Sequence, residues 1–233
     1  MSLYLIIMGV QGAGKGTQAA FIQQEYGIPQ VSTGDLFRAM KTREDDLARR
    51  VQEIMNSGQL VPDDVTNEVL QDRLEQSDAA NGVILDGYPR NIAQAEWLEN
   101  YLQGKGEKLS AVLLLELDLY TAFKRAYGRV KSADTGKTYN IYFHDGIDTN
   151  FVNDPDGEFP PKVEAQLKET GEFLTRRSDD SAPSVIKRID TFTETTAPLI
   201  NHYRNQGLLI EIDAAQPIEA VSATIKSKLS ELA

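Results

Sequence analysis

The chain has 233 residues, of which 41% are hydrophobic, a formal net charge of -11 and no cysteine. Such a length and apolar content suit one domain of ordinary size with a true core and room for insertions. An acidic balance, with a pI near 4.7, argues against a nucleic-acid or anionic-membrane surface, each of which needs a basic face, and the missing cysteines exclude disulfides and thiolate metal sites.

The chain opens on an apolar run, Leu3–Met8, which reads as a strand. No basic stretch leads into a cleavable apolar segment, and no run approaches the roughly 20 residues of a bilayer span, so a soluble, cytoplasmic protein is expected. The run is followed by Gly9-Val10-Gln11-Gly12-Ala13-Gly14-Lys15-Gly16-Thr17 and helix-like residues 18–26. This is a P-loop in the strand, loop and helix context that it requires. Glycines allow dihedrals that turn successive N–H groups inward, and the helix start adds its positive dipole end. Lys15 would reach the β and γ phosphates as a point charge, and the hydroxyl of Thr17, or of a nearby residue, would face the Mg²⁺ that travels with a nucleotide. A glycine-rich turn alone would not place a lysine and a hydroxyl at these offsets.

Further apolar runs at Gln30–Ser32, 82–85, 111–117 and 208–212, with helical segments between them, have the rhythm of a parallel sheet buried on both faces. A doubly wound α/β fold follows, in which ligands sit at the carboxyl ends of the strands. Residues 35–73 carry helical patterning broken at 57–62 and read as a small helical insertion. The third run ends in Asp86, suited to hold Mg²⁺ directly or through water, although an aspartate there can also cap a helix. Arg90 follows, with Gln94 one helical turn on, and Ser32-Thr33-Gly34-Asp35-Leu36-Phe37-Arg38 repeats the theme after the second run. Trp97 reads as packing. From 130 to 175 turn formers dominate, as in a functional lid or a disordered loop, and a separate small core is expected there around Tyr139, Tyr142, Phe143 and Phe151. His144 and His202 have no partner at metal-ligand or triad spacing and read as core or surface residues.

Taken together, GxxGxGKGTQA at residues 9–19, STGDLFR at 32–38, DGYPRxxxQA at 86–95 and the late Arg176-Arg177-Ser178-Asp179-Asp180 resemble the adenylate kinase family of nucleoside monophosphate kinases over nearly the whole chain. The resemblance implies an α/β P-loop NTPase fold with a five-stranded parallel sheet core flanked by helices. The core would comprise residues 1–31, 62–129 and 176–233, with an AMP-binding insertion at 32–61 and a mobile lid at 130–175. It implies the reaction ATP + AMP ⇌ 2 ADP with Mg²⁺, the nucleotides as partners, and a monomer. By residue, it implies ATP contacts from Gly12, Ala13, Gly14, Lys15, Gly16, Thr17, Arg125, Arg129, Thr138, Tyr139 and Gln216. AMP contacts would come from Thr33, Arg38, Gln59, Leu60, Val61, Gly87, Arg90, Gln94, Arg177 and Arg188, and Thr17 and Asp86 would lie beside the metal. Lys15, Arg90, Arg125, Arg129, Arg177 and Arg188 would form the catalytic set. Side-chain chemistry agrees, since Arg38 and Arg90 can each grip a phosphate bidentately and the Gln94 amide can read an adenine edge. Arg125 and Arg129, four apart, are expected to share one face of the helix after Asp118.

The sequence also departs from the family pattern. Gln11 stands where Pro is usual, and Val130 where a second arginine is common. Ser132, Thr135 and Thr170 match the region where many bacterial relatives carry zinc-binding cysteines, so a zinc-free lid held by hydrogen bonds and aromatics is expected. The lid is longer than usual through 144–158, where Asp145, Asp148, Asp154, Asp156 and Glu158 lack the spacing of an EF-hand. The alternatives are a UMP/CMP or other nucleoside monophosphate kinase, disfavoured by Thr33 and Gln94, and a nucleotide-binding regulatory protein that has lost catalysis.

Overall fold

The computed structural model of the chain describes residues 2–57, 61–152, 162–176 and 180–232. Its elements in chain order are β1 (Leu3–Met8), α1 (Lys15–Tyr26), β2 (Gln30–Ser32), α2 (Thr33–Met40), α3 (Asp46–Asn56), α4 (Asp63–Leu74), β3 (Gly82–Asp86), α5 (Ile92–Gly104), β4 (Ala111–Glu116) and α6 (Leu119–Tyr127). There follow β5 (Arg129–Lys131), β6 (Thr138–Asn140), β7 (Ile147–Val152), β8 (Lys162–Leu167), β9 (Phe173–Leu174), α7 (Ala182–Thr191), α8 (Ala197–Asn205), β10 (Leu209–Asp213) and α9 (Ile218–Ser230). They form two compact units, one of Met1–Gly9, Gly14–Glu116 and Phe192–Ala233, the other of Val10–Ala13 and Leu117–Thr191.

The first unit is built on a five-stranded parallel sheet of order β10-β4-β1-β3-β2. All five strands fall on the apolar runs read from sequence, within a residue or two at their ends. The reason is burial on both faces. Tyr4, Ile6 and Met8 of β1 pack with Val83, Leu85, Val112 and Leu114 against Leu98 and Leu102 of α5 and Leu199 and Tyr203 of α8. The residues that alternate with them, including Leu5, Ile7, Ile84 and Leu113, are buried as well, so the strands show no polar alternation. Trp97 packs on this core, stacked on Tyr101 at 5.2 Å between ring centroids and edge-on to Tyr88 at 6.4 Å. β1 has β3 on one side and β4 on the other, so the sheet changes its winding direction at β1, the strand that feeds the glycine loop. Between β2 and β3, helices α2, α3 and α4 close on a second cluster of Met40, Ala48, Val51, Val65 and Val69. The break expected in this stretch falls between Asn56, where α3 ends, and Asp63, where α4 begins.

The second unit pairs α6 and α7 with a β5–β6 hairpin and an antiparallel sheet of order β7-β8-β9. Its core differs from the expected one. Val130, Ile147, Ala165 and Leu174 form one buried cluster, with Tyr139, Ile141 and Leu167 packed against them, and Tyr127, Val163 and Ala182 form another. Tyr142, Phe143 and Phe151 are instead 41%, 55% and 53% exposed. The inward positions of short paired strands are filled by aliphatic side chains, and the aromatics beyond β6 gather round a cation. The Lys124 ammonium lies 5.2, 5.5 and 5.2 Å from the ring centroids of Tyr120, Tyr142 and Phe143, a favourable use of exposed ring faces.

A second correction concerns the arginines after Asp118. Asp118 does cap α6, its carboxylate accepting from Thr121 N at 2.9 Å, but the helix ends at Tyr127 and Arg129 begins β5. Arg125 and Arg129 therefore do not share a helical face. Asn140 Nδ2 donates to the carbonyls of Arg125 at 3.0 Å and Lys124 at 3.3 Å. The Arg125 carbonyl is the one that the Arg129 N–H would need for the helix to continue. Gly128 admits this side chain, because a Cβ there would stand 2.6 Å from Asn140 Oδ1.

Candidate functional site

The glycine loop is shaped by backbone that only glycine takes readily. Gly12 and Gly14 have φ of 94° and 91°, and a Cβ on Gly12 would lie 2.4 Å from the Ala122 carbonyl oxygen. Helix α1 then begins at Gly14 with no side-chain cap and no acidic residue in its first turn. With no side chain of the helix start spent as a cap, its first turn and dipole suit an anion. Lys15 Nζ donates to Gly9 O at 2.7 Å, which turns the ammonium back toward the end of β1, and Thr17 is exposed. Both polar atoms of the Gln11 carboxamide are sealed from solvent without a hydrogen-bond partner, an arrangement that costs ~1–3 kcal/mol per group.

At the carboxyl end of β3, Asp86 accepts from Gln30 Nε2 at 3.1 Å. Burial pushes its pKa upward, opposed by the Lys15 ammonium and the Gln30 hydrogen bond. The next corner is a closed network. Thr33 Oγ1 donates to Gly87 O at 3.0 Å, Arg90 Nε donates to the same oxygen at 3.0 Å, and Arg90 Nη2 reaches Thr33 Oγ1 at 3.3 Å. Gln94 accepts from Arg90 N through Oε1 at 2.8 Å and donates through Nε2 to Asp63 Oδ1 at 2.6 Å. Asn91 caps α5 by accepting from Gln94 N at 2.9 Å and donates to Asp63 Oδ2 at 2.9 Å. Tyr88, buried below, donates to Asn67 Oδ1 at 2.6 Å, and its burial pushes the phenol pKa up. Thr33 and Gln94 are buried, whereas Arg90 stands in solvent. The sequence motifs thus meet in one place. Arg38, on α2, is exposed and holds Asp35 at 2.5 Å, and Val61 packs on the α2–α4 cluster.

In the second unit, Arg129 Nε and Nη2 bind the two oxygens of Asp180 at 2.9 and 2.6 Å, and the Asp180 side chain is fully buried. A buried carboxylate of this kind needs its partner. Arg176 braces the pair, because its guanidinium donates to Asp180 O at 2.9 Å and to Tyr127 O, and its central carbon lies 4.5 Å from the Tyr127 ring centroid. Arg125 sits in the last turn of α6 and Arg188 on α7. Thr138 and Tyr139 form β6; in the first unit, Gln216 Nε2 donates to Asp213 Oδ2 at 3.2 Å. Gln59, Leu60 and Arg177 lie outside the described residues, as do Asp154, Asp156 and Glu158.

The hydroxyls of Ser132, Thr135 and Thr170 join a carboxylate. Ser132 Oγ donates to Glu172 Oε2 and accepts from Thr135 N, both at 2.9 Å, while Glu172 accepts from Asp134 N at 3.2 Å and donates through its own N–H to Thr170 Oγ1 at 3.3 Å. Among the described residues no cluster of three or more His, Cys, Asp or Glu is placed to hold a metal ion, and no helix is long and apolar enough to cross a membrane. His144 is exposed and accepts from Gly146 N at 3.1 Å, and His202 bonds Glu99 at 2.9 Å. Asp63, Asn91, Arg176 and Asp180 were not singled out by the sequence reading for these roles. For Asn91 a signal existed, as an Asn just before a helical run is a cap; Arg176 and Asp180 lay in the late motif that carries the resemblance, without a role given to either, and for Asp63 there was no signal.

A sequence model described as Adenylate kinase matches residues 7–208. The chain is 41% identical over 221 residues to an adenylate kinase of Moorella thermoacetica, covering 95% of each chain. It is 40% identical over 227 residues to one of Thermoanaerobacter sp. and 41% identical over 227 residues to one of Shouchella clausii, in each case over 97% of this chain and 98% of the relative. A P-loop at the switch point of a five-stranded parallel sheet, the Arg90 corner and a match of this extent agree, and the chain belongs to the adenylate kinase family.

Proposed function

We propose that the chain carries out its family's reaction, reversible phosphoryl transfer from ATP to AMP, by alignment and charge neutralisation, with the AMP phosphate as the nucleophile. The observation that best supports this is the pairing of an uncapped α1 start beside Lys15 with the hydrogen-bonded corner of Thr33, Gly87, Arg90 and Gln94. ATP would bind through Gly12 to Thr17, with Arg125, Arg129, Thr138, Tyr139 and Gln216. AMP would bind through Thr33, Arg38, Gln59 to Val61, Gly87, Arg90, Gln94, Arg177 and Arg188. Gln94 uses one N–H and one oxygen lone pair within the fold, and its second N–H and lone pair suit an adenine edge. Lys15 and the arginines Arg90, Arg125, Arg129, Arg177 and Arg188 would neutralise charge on the transferring group, where one arginine can contribute on the order of 10³ to 10⁵ in rate.

Adenylate kinases use a magnesium–nucleotide complex. Asp86 fits that ion, being a carboxylate at a strand end that burial alone would leave poorly satisfied, with the Thr17 hydroxyl as a second oxygen. The ion would supply charge neutralisation on the phosphates. In this reading residues 32–61 are the AMP-binding insertion and 130–175 a zinc-free lid on a core of 1–31, 62–129 and 176–233. The lid excludes water, the competing acceptor, and this family is a standard example of such closure. The protein is taken as monomeric and cytoplasmic, without nucleic-acid or membrane partners.

A coupled assay of ADP formation tests the reading. Turnover should require Mg²⁺, favour AMP over UMP, CMP and GMP, and show a raised KM for AMP but not for ATP in Arg90→Ala. Equal or better turnover with UMP or CMP would favour the pyrimidine reading. Tight nucleotide binding without ADP formation would favour the regulatory one.

A further inference from the structure

We infer that Gln11 is a further catalytic residue, donating a hydrogen bond from its carboxamide Nε2 to an oxygen of the phosphoryl group in transfer. This rests on the ATP site proposed for the glycine loop. Gln11 lies in that loop, between β1 and α1 and four residues before Lys15. Its Nε2 and Oε1 are both shut off from solvent and both lack a partner among the described residues.

Buried carboxamides are nearly always satisfied, and an orphan of this kind is a feature to be explained. Among the described residues, the other buried side-chain atoms without a partner are the phenol hydroxyls of Tyr101, Tyr127 and Tyr203 and the Arg176 Nε. Gln11 differs in leaving a whole donor and acceptor pair idle in the segment that the resemblance gives to phosphate. A Met or Leu would fill the same volume without desolvating two polar atoms. The amide becomes intelligible if its partner arrives with the nucleotide, because a phosphoryl oxygen accepts hydrogen bonds and gains negative charge as the bridging P–O bond to ADP breaks. Gln11 gives up no proton. The P–O bond to ADP breaks, a P–O bond to the AMP phosphate forms, and the N–H···O bond stabilises the oxygen between them. The Oε1 acceptor is then open to an ordered water.

The group therefore costs stability in the absence of ligand and contributes in its presence, a signature that a packing residue lacks. Gln11→Met keeps the length and removes both polar atoms. It should leave the melting temperature of the ligand-free protein equal or higher, lower kcat about 10- to 100-fold, the scale of one hydrogen bond to a charged group, and reduce the thermal shift given by a non-hydrolysable ATP analogue with Mg²⁺. Gln11→Glu, of the same shape but acceptor-only and charged, should lose more activity than the Met variant. Turnover of Gln11→Met within twofold of wild type overturns the inference, as does equal thermal shift by the analogue in the two proteins. Should Met lower the melting temperature, Glu decides: more activity than Met means that shape is what matters, and the inference falls. If the wild-type protein makes no ADP from ATP and AMP, the proposed reaction and the catalytic role of Gln11 both fail, while the comparison of thermal shifts still decides whether Gln11 bonds the nucleotide.

Discussion

Helices α1 and α5 each start after the carboxyl end of a strand in the same sheet, and they start in opposite ways. Helix α5 is closed by its own sequence, with Asn91 capping Gln94 N and tied in turn to Asp63. Helix α1 starts on a glycine, with no cap and no acid in its first turn. A cap is worth about 0.5–2 kcal/mol, so the bare start forgoes stabilisation that the other helix takes. The difference separates two kinds of site. At α5 the protein satisfies itself and leaves one exposed guanidinium to meet a ligand, whereas at α1 the ligand must supply the missing partner.

The sharpest way to break this contrast is Lys15→Ala. It should lower kcat by at least about 10²-fold, the scale for removing one preorganised charge-stabilising group, while stability stays within the ±0.5 kcal/mol or so of an ordinary surface change. Initial rates and a urea melt check both halves, and an active variant would end the assignment of Lys15. Asn91→Ala should do the reverse, losing about 0.5–2 kcal/mol of stability in the same melt with kcat kept and KM for AMP raised, and Asn91→Asp should recover most of the cap.

The smallest effect concerns Asp86. Burial raises its pKa above the ordinary 3.8, so the folded protein holds this proton more tightly than the unfolded chain. The group's contribution to stability is complete below the unfolded pKa and is lost as pH rises through the folded one. Asp86→Asn should accordingly be somewhat more stable than wild type at pH 7, with the advantage shrinking on acidification toward pH 4, while Mg²⁺-dependent turnover falls. Melting curves across pH give the sign, and a variant less stable at pH 7 than at pH 4, relative to wild type, contradicts it.

Much of the sheet unit was legible because its signals are local. A strand buried on both faces announces itself as an unbroken run such as Val83-Ile84-Leu85, and the glycine loop carries its chemistry in consecutive residues. The second unit was harder for the same reason inverted. The core residues on its strands, Val130, Ile147, Val163, Ala165 and Leu174, are isolated aliphatics, and no window of sequence distinguishes them from the more conspicuous Phe143 and Phe151. The end of α6 was lost to a side chain 15 residues away, Asn140 taking the Arg125 carbonyl. Asp63 and Asp180 act across 31 and 51 residues, which periodicity cannot see.

The order of the sheet also bears on how the protein behaves in company. Its two rims are β2, of three residues, and β10, whose Glu211 and Asp213 are exposed. A short rim and an acidic one are poor templates for strand addition by a second copy. At neutral pH the formal charge of -11 adds long-range repulsion between molecules. That protection is electrostatic on the β10 side and fades as the pH approaches the pI near 4.7. Acidic, concentrated solutions are therefore the conditions in which clumping through β10 becomes a hazard, with the rim at β2 kept safe by its brevity.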